Sequence, residues 1–116
     1  MALGTLTRVA AYVEGNRRVR IYDVQVTAGA NYTVGGETIT PQAVGLGRRI
    51  DMAMADGCAR TASGDGGPAV AFIYQANGSV KIVGLTSNGA APAVLDEPAA
   101  NTNFSTHSVR VKFIGT

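Results

Sequence analysis

The dipeptide Asn77-Gly78 is the strongest local constraint in this chain. It stands between two runs rich in strand formers: residues 69–76, with Phe72, Ile73 and Tyr74, and residues 79–86, with Val80, Ile82 and Val83. Asn-Gly supplies the positive φ angles that a two-residue type I′ turn needs, and such turns match the natural twist of paired strands. The sequence therefore predicts a β-hairpin here, closed by a type I′ turn.

Composition extends that reading to the whole chain. There are 13 Val, 6 Ile, 11 Thr, 15 Gly and 4 Pro, against only 5 Leu, 3 Glu and 2 Lys. Strand and turn formers dominate, and the long side chains that favour helices are scarce. Hairpin-spaced runs predict an all-β fold, a small antiparallel β-sandwich or barrel of about six to eight short strands with long loops. A chain of 116 residues has room for one core, so residues 1–116 are read as a single β-rich domain, with 1–6 as an extended N-terminal arm. At 46% apolar and 16% charged it is too apolar for a disordered tail. No run of about 18 apolar residues predicts a membrane-spanning helix. The start Met-Ala-Leu-Gly lacks the charged segment and apolar run of a secretory leader.

Residues 5–13 and 17–27 read as a hairpin around Glu14-Gly15-Asn16. In its second strand Val19 and Ile21 share one parity, whereas Val24 and Val26 take the other. Either a bulge near Tyr22-Asp23 or a strand buried on both faces accounts for this. Short strands are expected at 32–34 and 37–40. Thr40-Pro41 then opens a brief helical turn that Gly45 ends. Residues 49–55 alternate, with Ile50, Met52 and Met54 on one side and Arg49, Asp51 and Ala53 on the other, as a half-buried strand does. Residues 56–68, rich in Gly, read as a loop, and Pro92 and Pro98 exclude a long strand from 87–103, leaving Val94-Leu95 for a short pairing. The closing strand is expected at 107–114, with Val109, Val111 and Phe113 facing one way and Arg110 and Lys112 the other.

Candidate chemistry is sparse. Cys58 and His107 are the only residues of their kinds, too few for a zinc site and unable to form an intrachain disulfide. A lone cysteine fits a reducing compartment, or an assembly that needs no covalent staple. His107 has Ser105, Ser108 and several Asp as conceivable triad partners, but a solvated strand-end histidine is the simpler account. Arg60 beside Cys58 could favour a thiolate, against which stands a small packing residue. The segment Ser63-Gly64-Asp65-Gly66-Gly67-Pro68 lacks the Lys-Ser/Thr ending of a phosphate loop and the ligand spacing of a calcium loop. No catalytic residue, cofactor or metal is assigned.

Eight of the ten basic residues are Arg, at a net charge of +2. They cluster as Arg17, Arg18 and Arg20, as Arg48 and Arg49, and as Arg110 with Lys112. Alternation puts Arg18 with Arg20 and Arg110 with Lys112. If those strands are neighbours, a basic outer stripe results, and with Tyr12, Tyr22 and Tyr74 nearby it could hold single-stranded nucleic acid. Interleaved Glu14, Asp23 and Asp51 argue instead for a solvated face or one that docks on an acidic protein. Direct nucleic acid contact is therefore not the preferred reading. Partner contacts are assigned to Leu3 and Leu6 on the arm and to Arg17, Arg18, Arg20, Arg48 and Arg49.

Three segments resemble small structural proteins of tailed bacteriophages. They are Tyr32-Thr33-Val34-Gly35-Gly36-Glu37-Thr38-Ile39-Thr40-Pro41-Gln42-Ala43-Val44-Gly45-Leu46; Ala71-Phe72-Ile73-Tyr74 followed by Asn77-Gly78-Ser79-Val80-Lys81-Ile82; and Val109-Arg110-Val111-Lys112-Phe113-Ile114-Gly115. The family they resemble is that of head decoration, or capsid cement, proteins. The resemblance implies a β-rich module on the outer surface of the virion capsid, made in the host cytoplasm. It would bridge major capsid protein subunits, often as a homotrimer at local threefold positions. It carries over no catalytic residue. Another virion component, such as a tail or fibre-base part, and a nucleic-acid-binding barrel are the alternatives; an enzyme is the least favoured.

Overall fold

Ser108–Gly115 is the strand on which the architecture turns. Val109, Val111 and Phe113 are buried on one side, while Arg110, Lys112 and Ile114 face the other, as the sequence predicts. In the computed structural model the described residues are 6–25, 35–56, 58–61, 66–87, 95–96 and 107–116. They form β1 (Leu6–Glu14), β2 (Arg17–Gln25), β3 (Glu37–Ile39), a 3-10 turn (Gln42–Val44), β4 (Ile50–Ala55), β5 (Cys58–Arg60), β6 (Gly66–Tyr74), β7 (Val80–Ser87), β8 (Leu95–Asp96) and β9 (Ser108–Gly115).

All pairings are antiparallel, and the fold is all-β, as expected. β9 pairs with β2 along one edge and with β4 along the other, and β1 closes the far side of β2. These four strands make one half of a sandwich-like fold. β6, β7 and β3 make the second half. Short β5 joins them, pairing with β6 and touching β9 through Arg60 and Ser108. β8 adds two residues to β7, with Leu95 opposite Ser87 and Asp96 opposite Thr86, and Val94 of the expected short pairing lies outside the described residues. The two halves share one core. Tyr22, Val24, Ile50, Ala53, Val109, Val111 and Phe113 come from the first, and Ile39, Val80 and Ile82 from the second. Tyr22 meets Phe113 edge to face, with ring centroids 6.3 Å apart, a favoured aromatic geometry. Tyr74 ties the halves together as well: its hydroxyl accepts from the Ala53 N–H at 3.1 Å.

The 3-10 turn forms where Thr40-Pro41 predicts it. The Ala43 N–H is shared between the Thr40 carbonyl and Thr40 Oγ1, and Gly45 ends the turn at φ 77°. The turn delivers Val44 and Leu46 into the core.

Several expectations are corrected. The β6–β7 hairpin exists, but its turn is not type I′. The Gly78 N–H donates to the Gln75 carbonyl and the Gln75 N–H to the Ser79 carbonyl, which makes Ala76-Asn77-Gly78 a three-residue loop with Gly78 at φ 88°. Asn77 serves as a side-chain acceptor, taking the Ser79 N–H at 3.1 Å. Gly78 also lets the loop seat against the chain, because a Cβ there would stand 2.8 Å from Arg49 Cβ. β2 carries no bulge: its register with β9 is unbroken from Arg18 to Gln25. Its phase change arises because Val19 and Ile21 face outward while Tyr22 and Val24 face the core. The bulge lies across the hairpin, in β1 between Arg8 and Ala10. A second bulge in β4, between Ile50 and Met52, flips that strand's phase. Met52 and Met54 are consequently exposed and Ala53 is buried, the reverse of the expected pairing of both Met with Ile50. The Gly-rich span 56–68 is not loop throughout, since β5 and the start of β6 lie in it. The strand expected at 32–34 lies outside the described residues, as do residues 63–65 of the phosphate-loop candidate 63–68, whose remaining residues open β6.

Phe113 is fully buried at the centre of this core. Phe113→Ala is expected to cost about 3–5 kcal/mol of unfolding free energy. Thr7→Ala on exposed β1 should change it by about 0.5 kcal/mol or less. Urea unfolding of both variants checks the contrast.

Candidate interaction face

Directly opposed residues in an antiparallel pair share a face, so the pairing registers define the outer surface of the four-stranded half. One row crosses all four strands: Tyr12 opposite Val19, Val19 opposite Ile114, Ile114 opposite Met52. The adjacent row reads Ala10, Ile21, Lys112, Met54. Seven of these eight side chains are apolar or aromatic, on the face that points away from the core. Tyr12, Met52 and Met54 are 43%, 46% and 43% exposed, while Val19 between them is fully covered. The rows thus gather apolar side chains on the outer face, exposed at Tyr12 on one side and at Met52 and Met54 on the other.

Charge frames the patch along β2, whose outward positions run Arg17, Val19, Ile21, Asp23. At one end Asp51 is shared by Arg17, through Nη1, and by Arg49, whose Nε lies 2.9 Å from Oδ1. At the other end Arg110 grips Asp23 with two hydrogen bonds, Nε to Oδ1 at 2.9 Å and Nη2 to Oδ2 at 3.1 Å. The hydrogen bonds that Arg110 donates to Asp23, then the negative charge of that carboxylate, raise the Arg110 pKa above the usual arginine value. These end charges are already paired, so a partner surface covering the patch does not strand an uncompensated ion there. An apolar centre inside a satisfied polar rim is the anatomy of a protein-docking surface. Methionine suits such a surface because its unbranched, polarisable side chain adapts to a partner.

The sequence-assigned contact residues are scattered by the fold. Arg17 belongs to the rim. Arg18 and Arg20 lie opposite Gly115 and Phe113, so they face the core side, whereas Arg110 and Lys112 face outward. The strands are neighbours, yet the two basic pairs are on opposite faces, and the continuous basic stripe does not form. Arg20 instead braces its hairpin, with Nη1 donating to the Val19 carbonyl at 2.9 Å and reaching the Tyr12 carbonyl at 3.4 Å. Of the three tyrosines proposed for base stacking, Tyr22 is in the core. Arg48 and Arg49 line an open cleft of about 220 Å³ with Ala76, Asn77 and Gly78, next to the rim through the Arg49–Asp51 pair. Leu6 is no arm residue: it opens β1 opposite Val24 and packs on the core. Leu3 lies outside the described residues. His107 is half-buried just before β9.

Sequence reasoning missed Tyr12, Val19, Ile114, Met52 and Met54 as a group. Their juxtaposition depends on cross-strand register and on the β4 bulge, and neither leaves a local signature. Among the described residues no three His, Cys, Asp or Glu side chains gather as a metal-ligand group, and no helix is long and apolar enough to cross a membrane. No family model, curated protein or solved structure matches the chain.

Because Met52 and Met54 are about half exposed, Met52→Lys with Met54→Lys is expected to leave folding nearly intact, within about 1 kcal/mol in total. The same change should abolish binding of an apolar dye to the native state. Urea unfolding and dye fluorescence read the two outcomes separately.

Proposed function

We propose that this protein is a capsid decoration protein. It acts by assembly rather than catalysis, covering the outer face of a phage head and strengthening contacts between major capsid protein subunits. The observation that carries the proposal is the two-row apolar patch on the outer face of the β1–β2–β9–β4 half, rimmed by paired charges. Single exposed apolar side chains need no explanation, but outward apolar residues gathered in two adjacent rows, with Tyr12, Met52 and Met54 exposed, support an interaction surface. The three segments that resemble decoration proteins supply the identity of the partner, the location on the virion capsid, and the expectation of a homotrimer at local threefold positions. Two of those segments are β9 and the β6–β7 hairpin.

The patch is the proposed capsid-facing surface. Docking there buries Tyr12, Met52, Met54 and Ile114, leaving Arg17, Asp51, Arg49, Asp23 and Arg110 at the solvated edge. The Arg48–Arg49 cleft beside that edge offers guanidinium donors to an acidic side chain of the capsid subunit.

The test is to mix purified protein with expanded capsids that lack it and to measure occupancy by cosedimentation and electron microscopy. Saturable binding at symmetry-related positions is expected, and the Met52→Lys, Met54→Lys variant should bind at least about tenfold more weakly, a loss of about 1.4 kcal/mol. Absence of saturable binding, or equal binding by the folded variant, would remove the proposal. Affinity for single-stranded DNA that falls steeply with salt would favour the nucleic-acid alternative instead.

A further inference from the structure

The two edges of the sheet are unequal. β3, at one end of the strand order, is only three residues long. β1, at the other end, has nine, and all but Leu6 and Ala10 are exposed. Among the described residues nothing pairs with its outer side. Proteins usually blunt such an edge with a proline, an inward or central charge, a bulge or brevity. β1 has a bulge near Arg8, but beyond it Ala10-Ala11-Tyr12-Val13 carries no charge and no proline, and Val13 is 66% exposed.

The register says which backbone groups this stretch offers. Glu14 is opposite Arg17 across a two-residue connection, which makes them a hydrogen-bonded pair. By alternation Tyr12 and Ala10 also bond to β2, and the N–H and C=O groups of Ala11 and Val13 point to the open side. An extended strand is the occupant such groups require.

We infer that this occupant is β1 of a second copy, paired antiparallel about a twofold axis at Tyr12. In that register Ala11 meets Val13 of the partner subunit and Val13 meets the partner's Ala11. Both pairs then exchange two backbone hydrogen bonds, so all four open groups of each strand are used. Moving the axis to Ala11 or Val13 satisfies fewer of them, because Val9 lies in the bulge and residue 15 in the turn. The bulge therefore fixes the register instead of preventing pairing. The Tyr12 axis also continues the outer apolar row without a break: Met52, Ile114, Val19 and Tyr12 run on into their counterparts in reverse order. The dimer is an eight-stranded sheet with both apolar patches on one side. This pairing stands whether or not that patch docks on a capsid, and it differs from the threefold contact the resemblance implies.

The full chain is tested alone in solution, by sedimentation equilibrium and by cross-linking in a Cys58→Ser background. The chain is expected to form a dimer. Val13→Pro, which removes an N–H that points away from β2, should weaken dimerisation at least tenfold while the circular dichroism spectrum keeps its strand signature. Opposed residues at a non-hydrogen-bonded site lie about 4.5 Å apart between Cα atoms, within disulfide reach. Tyr12→Cys should therefore oxidise to a linked dimer. Ala10→Cys, whose two copies would lie roughly 14 Å apart, should not. A chain that stays monomeric at millimolar concentration would overturn the inference. So would equal cross-linking by both cysteine variants, a dimer insensitive to a folded Val13→Pro, or a trimer without the Tyr12→Cys link.

Discussion

The whole fold depends on β9 having backbone partners on both edges and opposite chemistry on its two faces. β2 and β4 take their positions from its hydrogen-bond ladders, and β1 and β5 are placed through them or beside them. Its inward residues Val109, Val111 and Phe113 unite the two halves of the sandwich. Its outward residues Lys112 and Ile114 sit at the centre of the apolar rows, and Arg110 anchors one end of their rim. Because side chains alternate strictly along a strand, core formation commits the opposite set to the outer surface. The packing of Phe113 and the presentation of Ile114 are thus two consequences of one register.

That coupling explains how a small domain presents an apolar surface without compromising its core. The patch draws on side chains that the inner core cannot use. Val19 and Ile21 face outward on the same strand that sends Tyr22 and Val24 inward. The ion pairs of Arg17, Arg49 and Arg110 are largely solvated, so they contribute little to stability. Their role in the proposed assembly is geometric: they hold charge at the margin and keep the centre available for a partner.

The bulges in β1 and β4 decide more about the outer face than any motif. The one in β1 divides that strand into a segment that packs, beginning at Leu6, and a segment that projects, ending at Glu14. The one in β4 turns Met52 and Met54 from presumed core residues into exposed ones. Neither contains a glycine or proline that would announce it, and each inverts the facing of every residue beyond it. This is why the sequence identified the basic clusters as partner contacts while the apolar rows escaped notice. Arg18 and Lys112 are both conspicuous in the sequence, yet only pairing register shows that they face opposite sides.

By itself, the sequence determined the class of fold and most of its elements. Val, Thr and Gly content, the Gly15-Asn16 and Asn77-Gly78 turns, the Thr40-Pro41 start and the alternation of 108–115 are all local signals, because propensity and turn chemistry act over a few residues. Only the tertiary structure decided which strands are neighbours, where the bulges fall, and therefore which face each side chain occupies. Those are properties of pairs distant in sequence, such as Tyr12 with Val19 across a hairpin and Met52 with Ile114 across half the chain. Hydrogen-bond register between distant strands is settled by burial of the common core, and no local pattern in the chain encodes it.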